Sequence, residues 1–185
     1  MKERTLVLIK PEGVKRAISG RIISKFEDAG LKVVAMKMVL PDRKLAEEHY
    51  PLDKEWYENA WLNTKKGMDA RGIRIKETPI ELGRRLRGML MKHLTSGPVL
   101  ALVLEGNDAV ASVRKLCGSP SPNRADPSTV RGAFSTDSYE AADREGRTTR
   151  SIMHASDSVK TADREISIWF AKKELLDYKR ADEGL

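Results

Sequence analysis

The run Thr5-Leu-Val-Leu-Ile9 is continuously aliphatic or β-branched, which predicts a central β-strand buried on both faces. The strand ends at Lys10-Pro11, because proline cannot donate a hydrogen bond to a strand ladder and favours extended geometry in the residue before it. Lys10 is therefore expected at the end of a rigid strand, with its ammonium group free to project.

Three more strands and several helices are predicted further along the chain. The strands are Leu31 to Leu40, with Val34, Met36, Met38 and Leu40 on one face, then Pro98 to Leu104, and a short strand at Ile152 and Met153. Helices are predicted at Ser19 to Ala29, Arg43 to Tyr50, Thr78 to Leu94, Asp108 to Leu116 and Val159 to Phe170. This order favours an α+β fold of the ferredoxin-like (split βαβ) kind, a four-stranded antiparallel sheet whose surrounding helices lie on one face.

The composition is typical of a globular chain with one core. Hydrophobic residues make up 40% and charged residues 33% of 185 residues, so we expect a single domain over 1–185. The longest apolar run, Pro98 to Leu104, is far shorter than the roughly 20 residues that cross a membrane, and no secretory segment is recognised. Cys117 is the single cysteine, which excludes an internal disulfide and favours a cytoplasmic location.

The net charge of +7 predicts a polyanionic partner, either nucleic acid or small phosphate compounds. A glycine-rich phosphate loop of either common pattern is missing from the sequence, so a phosphate site must rest on side chains. The candidates are cations at the ends of predicted elements: Lys10, Arg114, Arg131 and Arg150. Each of them alone is more often a solvated surface charge, so the hypothesis is that they converge.

The stretch Arg150-Ser-Ile-Met-His-Ala-Ser-Asp-Ser158 places a histidine at a predicted strand-to-helix junction, where the free N–H groups of a helix N-terminus suit an anion. Neutral imidazole is nucleophilic near pH 7, and a phosphoramidate can pass its phosphoryl group onward. His154 is therefore the candidate nucleophile. Glu165 lies on the following helix and could hold the ring, or it could face solvent.

Five separated motifs resemble, in the right order, those of the nucleoside diphosphate kinase family. They are Thr5-Leu-Val-Leu-Ile-Lys-Pro-Glu-Gly-Val14, His49-Tyr50, Ser96-Gly-Pro-Val99, Thr129-Val-Arg-Gly132 and His154-Ala-Ser-Asp-Ser158. The resemblance runs from about Thr5 to Phe170. It implies ping-pong transfer of the γ-phosphoryl group of a nucleoside triphosphate to a nucleoside diphosphate, with little base selectivity.

The resemblance also implies a role for individual residues. His154 would carry the phosphoryl group, and Glu165 with Ser156 would orient and support it. The phosphates would be contacted by Lys10, which Tyr50 helps to place, and by Arg114 and Arg131. ATP would serve as donor, and Mg²⁺ would arrive with the nucleotide phosphates and need no protein cage. Family members are homo-oligomers, and a hexamer is favoured here over a tetramer.

Several positions depart from the family pattern. The family's Lys-Pro-Asp-Gly is Lys-Pro-Glu-Gly here, and the asparagine that contacts the ribose and phosphate region is Ser151, with a shorter reach. Pro120 replaces a threonine and removes a hydroxyl group from the phosphate site, while Leu86 falls at the position of an aromatic base-stacking residue. Two segments, within about 52–85 and 136–149, are longer than in the common form and resemble those of archaeal members.

Other functions remain open from the sequence. An RNA-binding module of the RRM type would share the fold and explain the basic charge, but Arg131-Gly-Ala-Phe134 is only a fragment of its signature. A homologue that has kept the fold and lost catalysis is favoured by Ser151 and Pro120, and disfavoured by Lys10 and His154. Secondary nucleic-acid binding by an active kinase is also compatible with the charge.

Overall fold

A computed structural model describes residues 2–69 and 72–181, and of Asn63 it describes the backbone alone, so the two ends of the expected domain 1–185 lie outside the described residues. Within these ranges four strands form one antiparallel sheet in the order β2-β3-β1-β4. The strands are β1 Lys2–Ile9, β2 Lys32–Val39, β3 Val99–Asn107 and β4 Met153–Ala155. The predicted ferredoxin-like α+β class is confirmed.

Nine α-helices surround the sheet in the described part of the chain. They are α1 Pro11–Lys15, α2 Ser19–Asp28, α3 Arg43–His49, α4 Lys54–Asp69, α5 Pro79–Leu94, α6 Ala109–Cys117, α7 Val130–Phe134, α8 Tyr139–Arg144 and α9 Val159–Trp169. Short 3₁₀ turns lie at Pro122–Arg124 and Lys172–Glu174. Helix α1 replaces an expected turn, because the fixed φ of Pro11 suits the first position of a helix.

Strand β1 lies in the interior of the sheet and leads directly into Lys10. It pairs with β3 along its whole length and with β4 at its end, where Leu8 stands opposite His154. Leu6, Val7, Leu8 and Ile9 are all fully buried, so the predicted burial on both faces is confirmed.

The helices cover both faces of the sheet, and the prediction that they lie on one face was wrong. Val7 and Ile9 pack with α2, α6 and α7, whereas Leu6 and Leu8 pack with α3, α5 and α9. A strand that is apolar on both faces requires this arrangement, since each face must be removed from water to be stabilised.

Strand β2 contains a β-bulge that overturns the predicted alternation. The register shifts between Val33 and Ala35, and the extra residue Val34 joins the core on the α9 side. Met36 pairs with Leu102 and therefore faces the other side of the sheet. Met36 and Met38 are 55% and 64% exposed at this edge of the sheet. A bulge is not visible in a period-two pattern, because one added residue reverses the faces beyond it.

Within the longer segment 52–85, α4 is one helix of 16 residues that packs on α5. Helix α5 begins with the predicted Thr78-Pro79 signal, and the Thr78 side chain and Glu81 form a reciprocal capping box. Tyr57 of α4 is buried beside Gly83 of α5. In the described ranges no helix combines the length and apolar character that crossing a membrane requires.

The segment 136–149 contains α8 and is organised by Asp137. The Asp137 carboxylate accepts two hydrogen bonds from Arg147, at 2.6 and 3.0 Å, and one from the backbone N–H of Arg150 at 2.6 Å. Arg147 holds the pKa of Asp137 at about 2, although burial acts in the opposite direction. The segment is thereby tied to the residues that lead into β4.

Candidate active site

His154 lies on β4 and is held by two residues that come from beyond this strand. Its Nε2 lies 2.8 Å from Oε2 of Glu165, and the Ser156 hydroxyl donates to the same oxygen at 2.6 Å. An ionised carboxylate can only accept, so Nε2 carries the ring proton and Nδ1 keeps its lone pair. The imidazole side chain is 23% exposed, whereas the Glu165 side chain is 4% exposed.

Helix α9 brings Glu165 to this position. Ser158 caps the helix by accepting from the N–H of Thr161. Burial raises the pKa of Glu165, but its interactions with His154, His49 and the Ser156 hydroxyl lower it to about 2. Glu165 is therefore ionised at neutral pH, and its possible solvent-facing placement is excluded by its burial.

His49 lies behind His154 and was noted in the sequence only as part of a motif. Its ring is edge-on to that of His154, with centroids 4.7 Å apart, and its Nδ1 accepts a 3.3 Å hydrogen bond from Nε1 of Trp169. Burial and the nearby His154 lower the pKa of His49 to about 3, so the ring is neutral. Its Nε2 has no hydrogen-bond partner among the described residues.

Potential metal ligands in the described part of the chain meet at one place. The ligand atoms of His49, His154 and Glu165 lie within 4.8 Å of one another. The Glu165 oxygen nearest His154 already accepts from the imidazole and from Ser156. We read these groups as a histidine–carboxylate pair and assign no metal to them.

Three of the four predicted cations, Lys10, Arg114 and Arg131, line one cleft with His154, whereas Arg150 is exposed and does not line it. Lys10 is 7% exposed, and its Nζ donates to the Ser151 hydroxyl at 2.9 Å. Burial lowers the pKa of Lys10 to about 8, with Glu12 opposing this effect and Arg131 adding to it. The amine is thus poised to gain from an anionic ligand, which would favour its protonated form.

Arg131 is held in α7 by hydrogen bonds to the backbone on either side of the site. Its guanidinium group donates to the carbonyl oxygens of Gly118 at 2.7 Å, Ser151 at 3.2 Å and Met153 at 3.1 Å. Thr129 caps α7 by accepting from the N–H of Gly132. Arg131 therefore links the α6 terminus to β4.

An open cleft of about 1060 Å³ joins these groups. Of the residues predicted for the site, those that line it are Lys10, Tyr50, Arg114, Arg131, Ser151, His154 and Glu165. Arg114 is exposed on α6, and Tyr50 is half-buried with its pKa raised by burial. Ser156 lies beneath the cleft, where it contacts Glu165.

Besides Ser156 and Arg150, two further predicted residues are not among those that line the cleft. Pro120 is exposed in the loop after α6, and Leu86 is half-buried on α5. The residue of α5 that lines the cleft is Leu90, one turn further on. Sequence reasoning missed Trp56 and Asn59, which α4 presents to the cleft at a spacing of one helical turn.

The lining differs in net charge from one part to another. Among the described residues, the lining outside α4 and the residues just before it includes five cations and two carboxylates: Lys10, Arg114, Arg131, Lys160, Arg164, Asp157 and Glu165. Helix α4 and the residues before it contribute the acidic Asp53 and Glu55. A polyphosphate is attracted to the first region and repelled from the second. The cleft thus has a mostly cationic end at His154 and an end with aromatic and acidic groups at α4.

Comparisons with known proteins point to one family. The family model "Nucleoside diphosphate kinase" matches residues 3–89 and 82–175. The nucleoside diphosphate kinase of Pyrobaculum aerophilum is 44% identical over 180 residues, which are 95% of this chain and 98% of that protein. The one from Borreliella burgdorferi is 35% identical over 181 residues, which are 98% of this chain and 95% of that protein.

Solved structures give the same result. The crystal structure of the Pyrobaculum aerophilum NDP kinase has a TM-score of 0.91 at 43% identity, covering 96% of this chain and all of that one. A transition-state mimic of the kinase from Borrelia burgdorferi, with bound vanadate and ADP, has a TM-score of 0.81 at 35% identity, covering 98% of this chain and 95% of that one.

Proposed function

The chain belongs to the nucleoside diphosphate kinase family, and on this premise we propose that it transfers the γ-phosphoryl group of a nucleoside triphosphate to a nucleoside diphosphate through a phosphohistidine at His154. The observation that carries the assignment of His154 is its 2.8 Å contact with the buried, ionised Glu165, inside a cleft lined by cations. The name of the Borrelia complex, with vanadate and ADP, supports phosphoryl chemistry on this fold.

In the first half-reaction, the lone pair of Nδ1 attacks the γ-phosphorus while the bond to the oxygen bridging the β- and γ-phosphates breaks. The nucleoside diphosphate leaves with that bonding pair. The ring, which keeps its proton on Nε2, becomes positively charged, and Glu165 stabilises this charge as it develops. A second nucleoside diphosphate then attacks the phosphorus and reverses these steps.

The cations act on the phosphates. Lys10 is buried, Arg131 is held by backbone hydrogen bonds, and Arg114 lies on the exposed face of α6. These three side chains, from three parts of the fold, neutralise the negative charge of the transferring phosphoryl group. We treat the substrate as the Mg²⁺ complex of the nucleotide, with ATP as the donor. The residues around His154 then need to bind only the phosphate oxygens, and the protein does not have to supply the ligands of the metal.

The nucleobase would lie at the α4 end. Trp56 is half-buried and offers a flat apolar surface, Leu90 faces the same cleft, and Asp53 and Glu55 disfavour phosphate there. Stacking is tolerant of base identity, which agrees with a kinase of low base selectivity. In this proposal Trp56 takes the role that sequence comparison had given to the position of Leu86.

We further propose a homo-oligomer, a hexamer in preference to a tetramer, in the cytoplasm. The support for assembly is the exposed edge of β2, where Met36, Met38 and Leu40 are 55%, 64% and 73% exposed. Sedimentation analysis of the intact protein would give the number of subunits. The single cysteine supports the compartment.

The decisive experiment is incubation with γ-labelled ATP and Mg²⁺. We expect an acid-labile, base-stable phosphoprotein that is discharged by GDP, and no label in His154→Ala. Binding of ADP to His154→Ala, measured by calorimetry, controls for an intact cleft. A lack of label on the unaltered protein, or label that survives in the variant, would contradict the catalytic proposal.

The same preparation tests the nucleic-acid alternative that the charge of +7 leaves open. Binding through phosphates would weaken steeply with salt. Salt-dependent binding of oligonucleotides without a phosphoenzyme would identify a binding homologue. Both properties together would identify an active kinase with a secondary nucleic-acid function.

A further inference from the structure

Ile152 has a backbone conformation that its residue type disfavours. Its φ is +68°, and its side chain is buried in the core beneath the sheet. Residues other than glycine rarely occupy this left-handed region, and a β-branched residue there is an outlier that neighbouring structure must hold in place. Ile152 lies between Ser151, which contacts Lys10, and Met153, which precedes His154.

Both peptide groups that flank the Cα of Ile152 are bound by the junction between β1 and α1. The backbone N–H of Lys10 donates to the carbonyl oxygen of Ile152 at 2.8 Å. The N–H of Ile152 donates to Oε1 of Glu12 at 3.0 Å. Gly13 allows this close approach, since a Cβ there would lie 3.3 Å from the Ile152 oxygen and 2.7 Å from Ile9.

Glu12 is itself anchored by a second contact. Its Oε2 lies 2.8 Å from Nε2 of His93, near the end of α5, and the two side chains are 12% and 19% exposed. Burial acts to raise the pKa of Glu12, but the His93 hydrogen bond and the charge of Lys10 lower it below its ordinary value. The carboxylate therefore binds two partners that are 59 residues apart in the sequence while it is ionised.

The conformation of Ile152 determines where several cleft groups lie. The Ser151 hydroxyl accepts from Lys10, and the Ser151 and Met153 carbonyls accept from Arg131. A change of the Ile152 φ to a negative value would rotate the backbone at Ser151 relative to the backbone at Met153. The hydrogen bonds of Lys10 and Arg131 cannot both survive that rotation.

We propose that Glu12, anchored by His93, is a positioning residue that holds Ile152 in its left-handed conformation and thereby sets Ser151, Lys10 and His154 for phosphoryl transfer. This inference rests on the proposed function. It gives a role to the replacement of the family's aspartate by glutamate, because the longer side chain spans the distance between the Ile152 N–H and the His93 ring.

Glu12 has a second, separable effect on Lys10. The charged and titratable groups that act on or face the Lys10 amine are Glu12 of α1, Arg131 of α7 and His49 of α3. Glu12 favours the charged amine, whereas burial and Arg131 disfavour it. Glu12→Gln keeps an oxygen for the Ile152 N–H and loses the charge, whereas Glu12→Ala loses both.

The experiment compares Glu12→Ala and Glu12→Gln with the unaltered full chain, using steady-state kinetics and hydrogen exchange at the Ile152 amide. In Glu12→Ala we expect kcat to fall by about 10- to 100-fold, from misplacement of the reacting groups. The Ile152 amide should also exchange at least about tenfold faster, since it loses its acceptor.

In Glu12→Gln we expect kcat near pH 7 and Ile152 protection to remain within about threefold of the unaltered protein, and kcat/KM to decline at a lower pH, since Lys10 has lost a stabilising charge. A merely structural role for Glu12 would not shift this pH profile. His93→Gln keeps a donor for Glu12 and should behave as the unaltered protein, whereas His93→Leu should show a weaker form of the Glu12→Ala defect.

Unchanged Ile152 exchange and unchanged kcat in Glu12→Ala would overturn the proposal. If Glu12→Ala does not fold, an unshifted pH profile in Glu12→Gln together with unaltered kinetics in His93→Leu would overturn it instead. Exchange is measured without nucleotide, so its outcome does not depend on whether the unaltered protein forms a phosphoenzyme. Failure of the proposed function would instead appear as a lack of label on the unaltered protein in the experiment with γ-labelled ATP.

Discussion

Gly83 of α5 provides the space that the ring of Tyr57 occupies on α4: a Cβ at residue 83 would lie 2.2 Å from Cδ1 of the tyrosine and 2.6 Å from its Cγ. Tyr57 is 7% exposed, and its neighbour Trp56 lines the cleft. The two helices are thus fitted to one another at the point where α4 presents its aromatic side chain to the proposed nucleobase end.

Gly83→Ala should separate α4 from α5. Overpacking of this kind costs about 1–3 kcal/mol of stability, and we expect a raised KM for ATP as Trp56 moves. Gly88→Ala on the same helix is the matched control, because no atom lies within 4 Å of its Cβ position. That control should gain about 0.5–1 kcal/mol from helix propensity. Urea denaturation measures both, and equal stability of the two variants would refute the fitted packing.

Trp56→Ala should raise the KM for ATP by about tenfold, since stacking of a base on an aromatic ring contributes about 1–3 kcal/mol. Trp56→Phe should retain most of the affinity. Inorganic tripolyphosphate, which has no base, should inhibit the unaltered protein and Trp56→Ala equally. ADP should quench the fluorescence of Trp56 and not that of Trp61 or Trp169, so quenching should disappear in Trp56→Phe. Quenching that persists would place the base elsewhere.

Glu165→Gln should slow phosphorylation of His154 by about 10²-fold. The amide oxygen still accepts from Nε2, but it carries no charge to stabilise the positive imidazole. Ser156→Ala removes one of the hydrogen bonds to the same oxygen and should cost about fivefold. Rapid-quench measurement of the phosphoenzyme gives both rates. A Glu165→Gln variant as fast as the unaltered protein would show that the charge is not used.

The pH dependence should report Lys10. Its pKa of about 8 means that the ammonium is present below pH 8 and is lost as pH rises through that value. We expect kcat/KM, which reports the free enzyme, to decline above about pH 8. Lys10→Arg should be slower overall and lack this decline, because a guanidinium remains charged. A decline at the same pH in Lys10→Arg would assign it to another group.

Acid stability should depend on Asp137. Its pKa is held at about 2, below the ordinary 3.8, by Arg147. A depressed carboxylate pKa stabilises the fold above the unfolded value and loses this contribution as pH falls from about 4 through 2, here about 1–2 kcal/mol. Asp137→Asn should therefore be less stable at pH 7 and less sensitive to acid in that window. Asp163→Asn, at an exposed position on α9, is the control. Thermal denaturation from pH 2 to 7 compares them.

The cationic end of the cleft was predictable because it depends on the ends of strongly patterned elements. Lys10 follows a strand that is apolar on both faces, and His154 lies on another strand that must pair with the sheet. Two neighbouring antiparallel strands bring these residues together without help from loops. Glu165 reaches His154 because α9 packs back across β1. The apolar face of α9 indicated this packing.

The opposite end could not be predicted in the same way. Helix α4 carries Trp56, Tyr57 and Trp61 among many charges and includes Gly67, so its apolar spacing is weak and its length was not evident. Counting back from Ser96-Gly97-Pro98 selected Leu86, whereas the face of α5 that meets the cleft is one turn nearer its end. His49 gave no signal of its own, because its burial depends on the packing of α3 against α9.

The pairing of β1 with β4 also affects how the protein is made. Val7 pairs with Ala155, so β1 leaves the ribosome well before β4, the strand that completes its hydrogen bonds at one edge. Pairings this distant are slow to form, and an apolar strand that waits for them is exposed to aggregation. We therefore expect nascent chains that stop before residue 153 to engage chaperones, and the residues proposed to bind phosphate to assemble in the last step of folding.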